Sequence, residues 1–249
     1  LYLSKLDVPA IPRVPWNEIH QRVGELWVPD TTPHHSIIAQ TGGGKSFLIG
    51  NGILPHIENE QVLIIDVKGD DPTYADIGKP IVKIPKRGYR TFNDWLSPER
   101  PREHWYRLVV SDDVPTARKQ VATALETIYK EGDWTVVLDE TRALTDFREP
   151  NLGLAPYIER MWLRGRSRRI RVVAATQGPR WVPRSFYEQA QFHWIGAVED
   201  EDSQKRLREI GGMERPHLEA LKYLEQYHYI YTDRLSPDGV RYRGVTKVE

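Results

Sequence analysis

Ala39-Gln40-Thr41-Gly42-Gly43-Gly44-Lys45-Ser46 stands between two apolar stretches, Ile37-Ile38 before it and Phe47-Leu48-Ile49 after it. The spacing fits the Walker A pattern, with Ala39 in place of its first Gly. Successive glycines let the backbone turn with its N–H groups pointing inward, which makes an anion nest at the start of a helix. Lys45 is placed to reach the β- and γ-phosphates of a nucleotide, and Ser46 to ligate Mg2+. Thr41, Gly42, Gly43, Gly44, Lys45, Ser46 and Phe47 are therefore the candidate nucleotide-binding residues. A glycine-rich turn that binds nothing is the alternative, and the strand pattern before it and helix pattern after it count against that.

Trp134-Thr135-Val136-Val137-Leu138-Asp139-Glu140 reads as an apolar strand that ends in two acids. A desolvated carboxylate needs compensation, and Mg2+ would supply it for Asp139. Glu140, one residue on, is placed to polarise an attacking water as a general base. A second apolar strand, Arg171–Thr176, runs into Gln177, whose amide could touch a γ-phosphate or the water. The candidate catalytic residues are Lys45, Glu140 and Gln177, and the candidate metal ligands are Ser46 and Asp139.

Outward from these blocks, short apolar runs alternate with helical patterns, the signature of an α/β domain with a mainly parallel sheet. Strands are expected at His35–Gln40, Gln61–Val67, Ile81–Ile84, Leu108–Val110, Trp134–Asp139, Arg171–Thr176 and Phe192–Val198. Ala117, Val121, Leu125 and Ile128 recur at helical spacing, with Asp113 upstream as a cap. Further helices fit Ala155–Arg166, Ser203–Ile210 and His217–Gln226. Residues 1–33, with Pro at 9, 12, 15, 29 and 33, read as an extended N-terminal arm with a short helix near Trp16–Val23. Tyr227–Asp233 and Val240–Val248 read as a C-terminal β-hairpin. The expected organisation is the arm, 1–33, and one domain, 34–249.

The 249 residues carry 35 Lys plus Arg and 35 Asp plus Glu, so any pull toward polyanions must be local. It is concentrated: eight arginines lie between Arg160 and Arg184 with no acid among them. Lys83, Lys86, Arg87 and Arg90 form a second cluster. Such patches suit a grip on phosphates without base readout, although charge runs are more often solvated surface. The absence of Cys removes disulfides, zinc fingers, thiol nucleophiles and iron–sulfur clusters, and suits a reducing cytoplasm. No apolar run reaches the roughly 18–20 residues of a membrane helix, so no integral membrane segment is expected.

Taken in order, these blocks resemble the HerA/FtsK superfamily of P-loop ATPases, ring-forming DNA motors. Gly165-Arg166-Ser167-Arg168-Arg169-Ile170-Arg171-Val172-Val173-Ala174-Ala175-Thr176-Gln177 looks like the family block in which a Gly-Arg pair precedes a strand ending in Thr-Gln. Leu63-Ile64-Ile65-Asp66-Val67-Lys68-Gly69 is similar to the family's second-strand signature, with Val67 where the family has Pro. Gly196-Ala197-Val198-Glu199-Asp200-Glu201-Asp202-Ser203 resembles the stretch after the sensor strand.

The resemblance implies a RecA-like P-loop NTPase core with strand order 5-1-4-3-2, Gln177 as sensor, and ATP with Mg2+ at the interfaces of a homo-oligomeric ring. The ring would be a hexamer, with a pentamer as the alternative. Arg166 aligns with the family's arginine finger, which reaches a neighbour's site; Arg164, Arg168 and Arg169 lie close beside it. Double-stranded DNA is the implied partner, with a portal or membrane component as a further one, in the cytoplasm (a host's, for a virus-encoded chain). The implied function is an ATP-hydrolysing motor that translocates double-stranded DNA in viral genome packaging or in plasmid or chromosome transfer. The alternative is a P-loop ATPase driving protein secretion, pilus assembly or virion export without gripping DNA. A small-molecule kinase and a slow nucleotide switch fit less well, because Glu140 and Gln177 point to activated water.

Overall fold

Continuous buried runs, rather than alternating ones, make most of the strands, as expected where both faces of a parallel sheet are covered. The computed structural model describes residues 11–27, 33–57, 61–69, 71–74, 81–84, 95–96, 105–209, 213, 215–234 and 242–249. Helix α1 is Trp16–Leu26, and β1, His35–Ile38, leads into the glycine loop. After the loop α2, Lys45–Phe47, widens into a π-helical stretch over Leu48–Ile53 and ends in a tight turn, Leu54–His56. Then come β2 (Gln61–Asp66), β3 (Ile81–Ile84), β4 (Trp105–Val109), α3 (Val114–Glu131) and β5 (Trp134–Leu138). The short α4 (Thr141–Thr145) and α5 (Ala155–Arg164) precede β6 (Arg171–Thr176). Last are α6 (Ser185–Glu188), β7 (Phe192–Ile195), α7 (Glu201–Glu209), α8 (Arg215–Leu221), β8 (His228–Asp233) and β9 (Tyr242–Lys247).

The nine strands form one sheet in the order β3-β4-β2-β5-β6-β1-β7-β8-β9. Strands β1 to β7 pair in parallel, while β8 runs antiparallel to β7 and β9. Its centre, β7-β1-β6-β5-β2, is the 5-1-4-3-2 arrangement when those five strands are numbered along the chain. Two strands are added beyond each end of that core.

Side chains alternate between the two faces with the period of a strand. Val136, Leu138, Val172 and Ala174 join one apolar core with Val121, Leu125 and Ile128 of α3 and Ile158, Met161 and Trp162 of α5. Val137, Val173 and Ala175 join the other, with Ile19 and Val23 of α1 and Leu48, Ile49 and Ile53 after the loop. The Asp113 carboxylate accepts from the Thr116 N–H and caps α3, as its spacing suggests. Pro12 and Val14 hydrogen-bond to Val245 of β9, so residues 12–14 lie along the sheet.

Several boundaries differ from the sequence reading. Strand β4 begins at Trp105 rather than Leu108, because the charge of Arg107, which breaks the apolar run, is paired with Asp66. Strand β1 stops at Ile38, where the phosphate loop begins. Helix α5 stops at Arg164, and the chain turns tightly through Arg166–Arg168 before β6. Lys86, Arg87 and Arg90 of the second basic cluster lie outside the described residues, as does the turn Ser236-Pro237-Asp238-Gly239.

Candidate nucleotide-binding site

The loop that follows β1 has the backbone an anion nest requires. Gly44 has φ of 90°, a left-handed conformation that L side chains rarely adopt. Gly43 donates to the Gln40 carbonyl at 3.0 Å, and a Cβ there would meet that oxygen at 3.0 Å and the Ala39 Cβ at 2.9 Å. Lys45 is buried and folded back, its Nζ donating to the carbonyls of Ala39 at 2.8 Å and Gln40 at 3.0 Å. Burial lowers its pKa to about 8, against the opposing pull of the Glu140 charge. A phosphate would replace two carbonyl acceptors with an anion, the stronger partner for an ammonium.

Asp139 follows the last residue of β5 and is buried. Its Oδ1 accepts from Ser46 Oγ at 3.2 Å and from the Tyr74 hydroxyl at 2.8 Å. Burial, then the Asp139 charge, push the Tyr74 phenol well above its ordinary pKa, so it stays a donor. Among the described residues the Asp139 Oδ2 has no hydrogen-bond partner, and Lys68 Nζ stands 3.7 Å from it. Among the described residues no group of three or more His, Asp or Glu converges. Ser46 and Asp139 thus offer one hydroxyl and one under-used buried carboxylate. That all-oxygen set fits Mg2+, which commonly takes its remaining ligands from phosphate and water.

Glu140 is half-buried and caps α4, accepting from the Arg142 N–H at 3.3 Å and from Thr176 Oγ1 at 3.2 Å. Burial raises its pKa, with the Lys45 charge as the chief opposing influence. A carboxylate moved toward neutrality and held by two donors is suited to take a proton from water. Gln177 follows β6, and its Oε1 accepts from Thr41 Oγ1 at 2.7 Å, so sensor candidate and loop already touch.

Residues that sequence reasoning passed over complete the walls. The loop after β2 is anchored by Asp66, which accepts from Arg107 Nε at 2.9 Å and from the Gly69 N–H at 2.9 Å; it carries Lys68 and Tyr74 to Asp139. On the other flank, Gln226 Nε2 donates to Gly42 O and the Tyr229 hydroxyl to Gly43 O, both at 2.8 Å. The Tyr227 ring lies 5.0 Å from that of Phe47. The Leu63–Gly69 block was the only available signal for the first wall. For the second there was none beyond a hairpin pattern.

Arg166 is not part of this site. It precedes β6, whereas Gln177 follows it, a separation on the order of 20 Å along the strand. It is exposed, its Nη2 donating to the Gln189 carbonyl at 3.2 Å. The run of arginines is also less bare than its sequence suggests. Arg169 pairs with Asp133, Arg180 with Asp202 and Arg184 with Glu188, acids that all lie outside the run. Arg171 is buried against Trp27, and Arg160 and Arg168 both lie over the Tyr129 ring. Arg164 and Arg166 remain as exposed cations of the segment, beside Arg168.

No family model and no curated protein matches the chain. Among solved structures it is similar to the genome packaging NTPase B204 from Sulfolobus turreted icosahedral virus 2 in complex with AMPPCP. The TM-score is 0.61 at 16% identity, covering 89% of this chain and 100% of that one. VirB4 of Thermoanaerobacter pseudethanolicus matches with a TM-score of 0.63 at 11% identity, covering 88% of this chain and 90% of that one. Thermomonospora curvata EccC (ATPases 2 and 3), in complex with a signal sequence peptide, matches with a TM-score of 0.51 at 16% identity, covering 88% of this chain and 38% of that one. The structural similarity is thus to a genome packaging NTPase, to VirB4 and to a chain of ATPase domains. At these identities it is the fold that is shared.

Proposed function

We propose that this chain hydrolyses ATP with Mg2+ and, as a homo-oligomeric ring, uses the cycle to translocate double-stranded DNA. The observation that carries the hydrolytic part is the convergence of Lys45, Ser46, Asp139, Glu140 and Gln177 at the ends of β1, β5 and β6. Residues 34–249 would form the ATPase domain, with 1–33 as its arm.

In this reading the phosphates lie in the nest of Thr41–Phe47, and Lys45 leaves the Ala39 and Gln40 carbonyls to bind them. Ser46 and Asp139 would hold the nucleotide's Mg2+, which offsets charge on the β- and γ-phosphates. Glu140 takes a proton from water as its oxygen bonds to the γ-phosphorus and the bond to the bridging oxygen breaks, releasing ADP and phosphate. The Thr176 hydroxyl and Arg142 N–H keep the carboxylate aimed. Gln177, steadied by Thr41, contacts the γ-phosphate or the water. Arg166, outside its own site, serves a neighbour's; such a finger contributes on the order of 10³–10⁵ in turnover.

Support for DNA as the substrate comes from the similarity to a genome packaging NTPase and from the exposed guanidinium of Arg164. A second reading, protein secretion or export, is supported by the similarity to EccC in complex with a signal sequence peptide. Steady-state ATP hydrolysis with and without long double-stranded DNA, over salt and protein series, tests them. Stimulation that falls steeply with salt and rises cooperatively with protein is expected. Hydrolysis indifferent to DNA once the ring has formed would favour export. Lys45→Ala should lose binding or turnover, and Glu140→Gln should bind ATP and turn it over poorly; normal turnover in Glu140→Gln would remove the general base from the mechanism.

A further inference from the structure

The sheet order divides the neighbourhood of the phosphate loop into two flanks. Strands β6 and β5 lie on one side of β1, and β7 and β8 on the other. Asp139, Glu140 and Gln177 all belong to the first side, so a terminal phosphate poised for attack by water must lie there. A nucleotide stretched across the loop then sends its nucleoside toward the second side.

That side is already built. Gln226, Tyr227 and Tyr229 sit at the entry to β8, and two of them hydrogen-bond to successive loop carbonyls, Gly42 and Gly43. Tyr227 between them has a φ of 66°, a conformation that is uncommon for a bulky residue and persists where its surroundings impose it. The consequence is a ring laid directly over the glycine loop. A Cβ on Gly44 would stand 2.4 Å from Tyr227 Cδ1. The ring also leans on Phe47, one turn into the helix, with 5.0 Å between centroids and 55° between planes. Both aromatics are half-buried, so each keeps a surface toward solvent.

We infer that Phe47 and Tyr227 form a platform on which the base of the bound nucleotide stacks, with the Gln226 and Tyr229 hydrogen bonds holding that platform at a fixed height above the phosphates. This rests on the nucleotide reading of the loop. The ligand class is a nucleoside triphosphate bound through the π-face of its base. The Gln226 amide N–H and Tyr229 hydroxyl are committed to loop carbonyls, not to a base edge.

The test is calorimetric titration of the full chain with Mg2+-AMPPCP and, separately, with tripolyphosphate, which has no nucleoside. Tyr227→Leu should weaken AMPPCP roughly 5- to 150-fold, the equivalent of ~1–3 kcal/mol for one base–aromatic stack. Tripolyphosphate binding should change by less than about twofold, well under a decade of affinity. Tyr227→Phe should retain both. An equal loss for the two ligands would make Tyr227 a prop for the loop and overturn the platform, as would wild-type protein that binds AMPPCP no more tightly than tripolyphosphate. Wild-type protein that binds neither would overturn the nucleotide reading itself. Photolabelling of the unaltered chain with 2-azido-ATP covers the case of a variant that does not fold. Labelled peptides should contain Phe47 or Tyr227, and label confined to other parts of the chain would overturn the proposal.

Discussion

Removing the Arg107 guanidinium should damage this protein more than removing the ion pair to which it belongs. Asp66 is wholly buried at the end of β2, and Arg107 on the neighbouring strand is nearly so. The guanidinium donates to Asp66 Oδ2 through Nη2 at 2.5 Å and Nε at 2.9 Å, and Nη2 also reaches the Asp71 carbonyl at 3.0 Å. Arg107→Leu would leave the Asp66 carboxylate with the Gly69 N–H as its remaining donor in this group. Breaking one half of a buried pair costs about 3–5 kcal/mol, whereas replacing both halves with uncharged groups is often close to neutral. For a chain of this length each kcal/mol moves Tm by about 2–4 °C, so Arg107→Leu should melt roughly 6–20 °C lower. Asp66→Asn combined with Arg107→Leu should recover more than half of the loss. Thermal and urea melts of the two variants read this directly. A double variant as unstable as the single one would show that the charge left behind is not the source of the cost, and a single variant within about 1 kcal/mol of wild type would show that the pair does not matter.

The pH profile of ATP hydrolysis should be bell-shaped in kcat/KM, which reports the free protein. Glu140 must be ionised to accept a proton and burial raises its pKa, so the acid limb should lie above the ordinary glutamate value. Lys45 loses its cation as pH rises through about 8, which sets the basic limb. Bound phosphates would hold the proton on Lys45, so that limb should move upward in kcat, and a kcat/KM profile flat through pH 8 would contradict the Lys45 assignment. Gly44→Ala forces a side chain into left-handed backbone, at roughly 1–2 kcal/mol, and into the Tyr227 ring. A lower Tm and weakened nucleotide binding are both expected, and a neutral result would mean the loop does not hold this conformation. Gln177→Ala should lower kcat while leaving KM nearly unchanged; a change in KM alone would make Gln177 a binding residue.

The arrangement of the candidate site was legible because each part is local. The glycine loop, the acids after β5 and the glutamine after β6 stand at ends of apolar runs, and the runs alone give a parallel α/β sheet. The walls were hidden because they are made by pairs far apart in the chain. Tyr74 meets Asp139 across 65 positions, and Gln226 meets Gly42 across 184. Neither contact leaves a period or spacing in the sequence. Arg107 shows the same limit from the other side: a charge inside an apolar run looks like the end of a strand until its partner, 41 positions earlier, is known. The arginine run shows how little a window can see, since Asp133, Glu188 and Asp202 neutralise part of it from beyond its ends.

Residues 12–14 and the strand they lie against also bear on how the molecule avoids edge-to-edge pairing of its sheet with that of another copy. A terminal strand of a sheet offers a row of free N–H and C=O groups, a template for another chain to join. Along β9 that template is occupied at its middle, where Val14 N–H donates to the Val245 carbonyl and Val245 N–H to that of Pro12. The approach is close enough that a Cβ on Gly244 would stand 2.4 Å from Val14 Cγ2. A bulkier residue at 244 would lift the cover without touching the nucleotide loop. Its signature would then be concentration-dependent self-association with chemistry intact, a loss of solubility rather than of turnover.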